Sequence, residues 1–133
     1  MPQSKTVMVD ENDEIVHPEG LQVPVVFKNQ SLLGTQGIGS CVMNIGVGVW
    51  SGYPSNAEPT GQIGIQTGIN EITIQGIFKT TGLTVASKYY VGLNQLPTDT
   101  PPSGSGEFVV PIGFALDAET LVINTTQTYI ELA

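Results

Sequence analysis

Glycine and proline interrupt this chain so often that no window of a dozen residues keeps apolar side chains at helical spacing. There are 16 glycines and 9 prolines among 133 residues. Between them lie short runs in which apolar residues alternate with polar or small ones, which is the period of a half-buried strand. About seven to ten such strands predict an all-β fold, either an antiparallel β-sandwich or a barrel.

The alternation also predicts which side chains face the core. Residues 70–79 form the clearest strand, with Ile72 and Ile74 on one face. Residues 41–50 predict a single strand, and in residues 107–116 we expect Phe114 to share the inward face with Ile112. The predicted core comprises Val26, Val47, Val49, Ile63, Ile65, Ile72, Ile74, Val91, Ile112, Phe114, Leu121 and Ile123. Truncation of Phe114 or Ile74 to Ala is then expected to cost roughly 2–5 kcal/mol.

The first twenty residues differ from the rest and predict an extended acidic arm, residues 1–20, ahead of a single β-domain, residues 21–133. Five of the 12 acidic residues lie in the arm, namely Asp10, Glu11, Asp13, Glu14 and Glu19. They follow one apolar trio, Val7, Met8 and Val9, which offers a short strand for pairing with an open sheet edge on a partner. Twenty extended residues reach at most roughly 66–72 Å. The alternative is an ordinary first strand packed within its own domain.

Charge and cysteine content exclude several classes of protein. The chain has 12 acidic residues, four lysines and no arginine, for a net charge of −8, so it lacks the cations that bind nucleic acid phosphates. The single cysteine, Cys41, excludes an intramolecular disulfide. There is no run of eighteen apolar residues and no signal-peptide pattern at residues 1–5. We therefore expect synthesis in the cytosol without secretion, and no membrane partner.

No catalytic residue, metal ligand set or cofactor site is predicted. His17, the only histidine, sits in the acidic arm before a proline, and Cys41 lies among apolar residues that are typical of a buried thiol. Counting an EF-hand calcium loop from Asp10 places Ile15 and Leu21 where glycine and glutamate are required, so that pattern fails. A looser cation site on the acidic residues stays open. Trp50 and Tyr53 could form a small sugar platform, but burial of Trp50 is the favoured interpretation.

Four segments of the C-terminal part carry a resemblance to a known class of protein. They are Tyr89-Tyr90-Val91-Gly92, residues 100–106 (TPPSGSG), residues 109–116 (VVPIGFAL) and residues 120–124 (TLVIN). This order resembles small structural proteins of tailed bacteriophage virions, above all capsid decoration (cement) proteins. Pro101 and Pro102 stiffen the loop and cannot donate to a sheet.

The resemblance implies a non-enzymatic protein that stabilises the capsid shell. It further implies a homotrimer bound to the major capsid protein on the virion surface, made in the host cytoplasm. The expected contacts with the shell are Val7, Met8, Val9, Asp10, Glu11, Asp13, Glu14, Pro101 and Pro102. A tail, fibre or baseplate component is the alternative in the same setting, and a sugar-binding β-sandwich, resting on Trp50, Tyr53, Tyr89 and Tyr90, is the alternative of another class.

Overall fold

The computed structural model describes residues 24–34, 36–126 and 129–133. In these residues there is no helix, and about half of them lie in strands of a large mixed sheet, so the predicted all-β class is confirmed. The acidic arm, residues 1–20, and residues 21–23 lie outside the described residues. The strands are β1 (Val25–Phe27), β2 (Ser31–Leu33), β3 (Cys41–Gly46), β4 (Val49–Gly52), β5 (Ile63–Gly68), β6 (Glu71–Lys79), β7 (Lys88–Val91), β8 (Pro97–Thr98), β9 (Phe108–Val109), β10 (Pro111–Asp117), β11 (Thr120–Asn124) and β12 (Ile130–Glu131).

Ten of these strands form one sheet in the order β2-β4-β3-β5-β6-β11-β10-β7-β8, and β1 pairs with β6. Strands β9 and β12 form a separate pair. The longest strand, β6, pairs with β5, β11 and β1, and it starts one residue after the predicted run. Strand pairing is antiparallel except between β2 and β4, which run parallel.

The sheet curls until its two halves meet through backbone hydrogen bonds. The Cys41 N–H donates to the carbonyl oxygen of Gln95 at 2.7 Å, and the Ser55 N–H donates to that of Gly92 at 3.2 Å. The carbonyl of Ser55 in turn accepts from the Phe108 N–H at 2.8 Å. These bonds join the end of the sheet that contains β3 to the turn that follows β7, and they enclose the main core.

Two apolar clusters lie on opposite sides of β3, because the neighbouring residues Cys41 and Val42 are both fully buried and belong to different clusters. The main core contains Cys41, Tyr53, Ile63, Ile65, Tyr89, Val91, Phe108, Val110, Ile112, Ala115, Leu121 and Ile123. The second cluster contains Val42, Trp50 and Ile72, with Leu32 and Ile74 packed against it. Burial is confirmed for the predicted core residues Ile63, Ile65, Ile72, Val91, Ile112, Leu121 and Ile123, while Val49 and Ile74 are partly buried.

The predicted single strand over residues 41–50 is wrong, because the chain reverses there to form the β3–β4 hairpin. Gly46 pairs with Val49 across the turn. Gly48 has a φ of 68°, a left-handed conformation that glycine adopts more readily than other residues do. Val47, predicted in the core, therefore sits at the tip and is fully exposed. Val26 is also exposed rather than buried, because β1 is a three-residue strand attached to the sheet only through β6 among the described strands.

Phe114 points away from the core, contrary to the prediction, because β10 is irregular at Gly113. The register against β7 shifts between Pro111 and Gly113, and a shift of this kind exchanges the two faces of a strand. Ile112 therefore faces the core before the shift and Ala115 faces it afterwards, which leaves Phe114 and Leu116 outside.

A second glycine lies in the same row of the sheet. Ile123 of β11 pairs with Gly113 on one side and Gly76 of β6 on the other. Gly113 has a φ of 148° and Gly76 a φ of 146°. Both values are rarely adopted by other residues, and glycine kinks of this kind let a sheet bend. Cores therefore form on both sides of β6, with Ile72 in the second cluster and Phe78 against the main core.

Candidate interaction surface

The arm residues expected to contact the shell, Val7 to Glu14, lie outside the described residues, and so does His17. Of the expected contacts, the structure describes Pro101, which is exposed, and Pro102, which is half-buried. Both line an open depression of about 760 Å³ beside the β7–β8 turn. The loop is tied at its far end, where the Gly104 N–H donates to Glu107 Oε1 at 2.9 Å. Their role as a contact stays a prediction.

The candidate reactive and aromatic side chains are built into the cores. Burial raises the pKa of the Cys41 thiol well above its ordinary value, which keeps the thiol protonated and unreactive. Trp50 and Tyr53 are 2 % and 1 % exposed, so their ring faces are covered rather than presented to a sugar. Desolvation raises the pKa of Tyr53, whose hydroxyl donates to the carbonyl of Ala57 at 2.6 Å. Tyr89 is buried too, and its hydroxyl accepts from the Thr84 N–H at 2.8 Å.

Among the described residues, no group of three or more His, Cys, Asp or Glu side chains is placed to hold a metal ion. The described part of the chain also contains no helix long and apolar enough to cross a bilayer.

The most distinctive surface is formed by two hairpin tips held side by side, which we call the double tip and define as residues 46–49 and 68–71. Val47 is at the first tip and is fully exposed. Ile69 is at the second, between β5 and β6, and is 83 % exposed. The second turn is closed by Asn70, which has a φ of 57°, a left-handed conformation that asparagine tolerates better than most residues.

Gln30 and Ser31 join the two tips. The Gln30 N–H donates to the Asn70 carbonyl at 3.0 Å and the Ser31 N–H donates to the Gly48 carbonyl at 2.8 Å. Asn70 Nδ2 returns a bond to the Gln30 carbonyl at 2.8 Å. Because consecutive residues bind one tip each, Val47 and Ile69 are held on the same end of the molecule.

The side chain of Gln30 anchors this link to the second cluster. Its Oε1 accepts from Trp50 Nε1 at 2.7 Å, and its Nε2 donates to the Lys28 carbonyl at 2.9 Å. Trp50 in turn packs against Phe27, with ring centroids 5.9 Å apart. The double tip therefore rests on a buried aromatic side chain rather than on mobile loops, and it presents two aliphatic side chains on a rigid support.

Sequence reasoning missed this surface because it placed Val47 inside a strand. The signal was present in the Gly46-Val47-Gly48 triplet, since glycines on both sides of a residue are typical of a turn. The dipeptide Ile69-Asn70 between two alternating runs is a similar turn signal. The contribution of Gln30 has no local signal, because Trp50 and Asn70 lie 20 and 40 positions further along the chain.

No family model, no curated protein and no solved structure matches this chain.

Proposed function

We propose that this chain is a non-enzymatic structural protein of a tailed bacteriophage virion that decorates and stabilises the capsid shell. The docking role rests on one observation, the double tip with its two bare aliphatic side chains. The virion setting rests on the resemblance of residues 89–124 to small phage structural proteins. In the fold, these residues supply β7, β10 and β11, which are neighbours in the sheet, so the resembling segments belong to one structural unit.

The double tip suits attachment by insertion. Full burial of a Val or Ile side chain is worth roughly 1.5–3 kcal/mol, and a preorganised support loses little conformational entropy on binding. Val47 and Ile69 would fill an apolar recess where subunits of the major capsid protein meet. A homotrimer would present three such tips, and linked contacts strengthen one another. A protein attached this way would hold shell subunits together without chemistry of its own.

The test uses particles of the phage that encodes the chain, stripped of this protein and then incubated with purified variants. Wild-type protein is expected to rebind at hundreds of copies and to raise the temperature at which the particles release DNA. The double variant Val47→Asp/Ile69→Asp is expected to lose binding at least about tenfold, since charges cannot enter an apolar recess without a large desolvation cost. The matched control is Val85→Asp, which changes another exposed aliphatic side chain, 57 % exposed.

Three outcomes would count against the proposal. A few copies per particle would assign the chain to the tail, fibre or baseplate instead. Complete absence from purified particles would exclude a virion role. Equal loss of binding for Val85→Asp and for the double-tip variant would remove the double tip from the attachment surface.

A further inference from the structure

A cleft of about 430 Å³ lies between the loop that follows β6 and the short strand β8, and it reaches down to the main core. We call it the core cleft. Its floor contains Phe78 of β6 and Leu121 of β11, which pair across the two strands, and the buried Tyr89 of β7. An apolar cleft with a few polar groups is the usual composition of a small-molecule site.

Backbone hydrogen bonds hold the walls of the core cleft in place. The loop after β6 is tied to the β10–β11 turn, where the Leu83 N–H donates to the Ala118 carbonyl at 3.0 Å. Opposite it, β8 pairs with β7, and the Gly39 N–H donates to the Gln66 carbonyl at 2.6 Å. Because its walls are fixed from several sides, the cleft exists before a ligand arrives, and binding requires little ordering of the chain.

The Phe78 ring is open to the cleft because its neighbour on the facing wall has no side chain. A Cβ placed on Gly39 would lie 3.7 Å from two atoms of that ring, which is already ordinary van der Waals contact. A side chain longer than a methyl group at this position would therefore cover the ring. The glycine leaves an aromatic edge that a ligand can contact.

The polar part of the core cleft is a single carboxylate. Asp99 is the only charged residue among the described residues that line the cleft, and it is exposed at its mouth. Its Oδ2 accepts from Thr84 Oγ1 at 2.7 Å, and the Thr84 N–H in turn donates to the Tyr89 hydroxyl at 2.8 Å. This chain of bonds fixes the carboxylate above the apolar floor. Two carboxylate oxygens offer about four acceptor sites, so Asp99 can accept further hydrogen bonds.

No lysine lies among the described residues that line the cleft. Lys79 is next to Phe78 in sequence, but successive side chains of a strand point to opposite faces. Its Nζ donates to Thr120 Oγ1 at 2.7 Å on the other face. With a net charge of −8 on the chain as a whole, the charge at the mouth favours a cation over an anion.

We propose that the core cleft binds a small organic cation, an ammonium group on an apolar body. The ammonium donates hydrogen bonds to Asp99, and the apolar body lies on Phe78 and Leu121. The body would also cover Ile38 and Leu96, which line the cleft and are 55 % and 46 % exposed. This binding site is separate from the double tip and does not depend on any role in a virion.

Three probes with the same six-carbon chain test the site: n-hexylammonium, 1-hexanol and hexanoate. Each is titrated into the ¹⁵N-labelled full chain while amide chemical shifts are recorded. We expect shifts at Gly39, Leu83 and Thr84 but none at Val47 and Ile69 of the double tip. Hexylammonium should bind about two- to fivefold more tightly than hexanol, the range for an exposed ion pair, and hexanoate should bind most weakly. Each methylene removed from the ammonium probe should weaken binding by up to about fourfold.

Two variants separate the carboxylate from the general negative charge of the protein. Asp99→Asn is expected to abolish the preference for hexylammonium over hexanol, while its side-chain oxygen can still accept from Thr84. The matched control, Glu131→Gln, removes one exposed acidic residue on β12 and should keep the preference.

Four results would overturn the proposal. They are equal affinities of wild type for the three probes, a preference that survives Asp99→Asn, an equal loss of preference in Glu131→Gln, and the absence of shifts at the cleft amides at the highest soluble probe concentration. The first and the last need no variant, so they decide the matter even if Asp99→Asn fails to fold.

Discussion

Gln30 is the side chain on which the double tip depends, because its Oε1 accepts from the buried Trp50 indole while its backbone N–H bonds the Asn70 carbonyl in the second tip. We expect Gln30→Ala to destabilise the protein by about 1–3 kcal/mol, since Trp50 Nε1 would lose its acceptor while remaining buried. Urea unfolding measures this loss directly. The loss should be smaller in a Trp50→Phe background, where there is no N–H left to satisfy.

A double-mutant cycle turns this into a strict test. The coupling free energy between Gln30→Ala and Trp50→Phe should be about 0.5–3 kcal/mol, the range for residues in direct contact. Additive losses would mean that the side chain of Gln30 acts through its bond to the Lys28 carbonyl and not through Trp50. The matched control is Gln62→Ala, because that amide bonds Thr125 and the carbonyl of Ile63, away from Trp50.

Asp117 should make stability depend on pH in the acidic range. Its carboxylate accepts from the Glu119 N–H at 2.8 Å. That bond, a bond from Thr120 and the nearby Lys79 lower the pKa of Asp117 in the folded protein. Because the unfolded chain binds this proton more readily, the contribution is present above the ordinary aspartate pKa and is lost as the pH falls through the folded value.

The check is the unfolding midpoint of wild type and Asp117→Asn as a function of pH. The variant keeps an oxygen that can accept from Glu119 but loses the charge. We expect the variant to be the less stable protein at neutral pH and the gap to close on acidification. A gap that stays constant down to pH 2 would contradict this interpretation.

The bend in the sheet depends on Gly113. Three glycine substitutions separate the two effects of adding a Cβ there, which are backbone strain and steric overlap. A Cβ on Gly113 would collide with the carbonyl oxygen of Val122. We therefore expect Gly113→Ala to combine backbone strain of about 1–3 kcal/mol with overpacking of similar size. Gly82→Ala should carry strain alone, since its φ is 77° and its surroundings are open. Gly37→Ala, with neither feature, should be close to neutral in thermal unfolding.

The exchange of faces in β10 predicts which truncation in this strand lowers the free energy of unfolding most. Ile112→Ala should cost about 2–5 kcal/mol because the side chain is fully buried in the main core. Phe114→Ala should cost clearly less, because the ring lies on the outer face and is 37 % exposed. Chemical denaturation of the two variants decides the matter. The opposite order would restore the face assignment expected from simple alternation.

Deleting residues 1–14 should leave the β-domain folded, because both apolar clusters are built from residues 32–123. The truncated chain should keep its far-ultraviolet circular dichroism spectrum and a single unfolding transition. An unfolded truncation product would instead mean that the segment forms part of the core.

The strands and the double tip show what local patterns can and cannot predict. The strands at residues 62–66, 70–79, 88–92 and 120–124 were predictable because alternation and turn residues act within a few positions of each other. Burial of Cys41 and Trp50 followed from their apolar neighbours. The double tip was not predictable, because Gln30 reaches Asn70 and Trp50, which are distant in sequence.

The amino-acid sequence by itself determined that this chain is all-β, where most strands lie, and that Ile63, Ile65, Ile72, Ile112, Ile123 and Trp50 are buried. Glycine, proline and two-residue alternation are local properties, and they specify local conformation. Only the tertiary structure decided that β2 runs parallel to β4, that Gly113 exchanges the faces of β10, and that the tips with Val47 and Ile69 are held side by side. Each of these depends on hydrogen bonds to a strand elsewhere in the chain, and a shift of one residue in that pairing moves every later side chain to the other face.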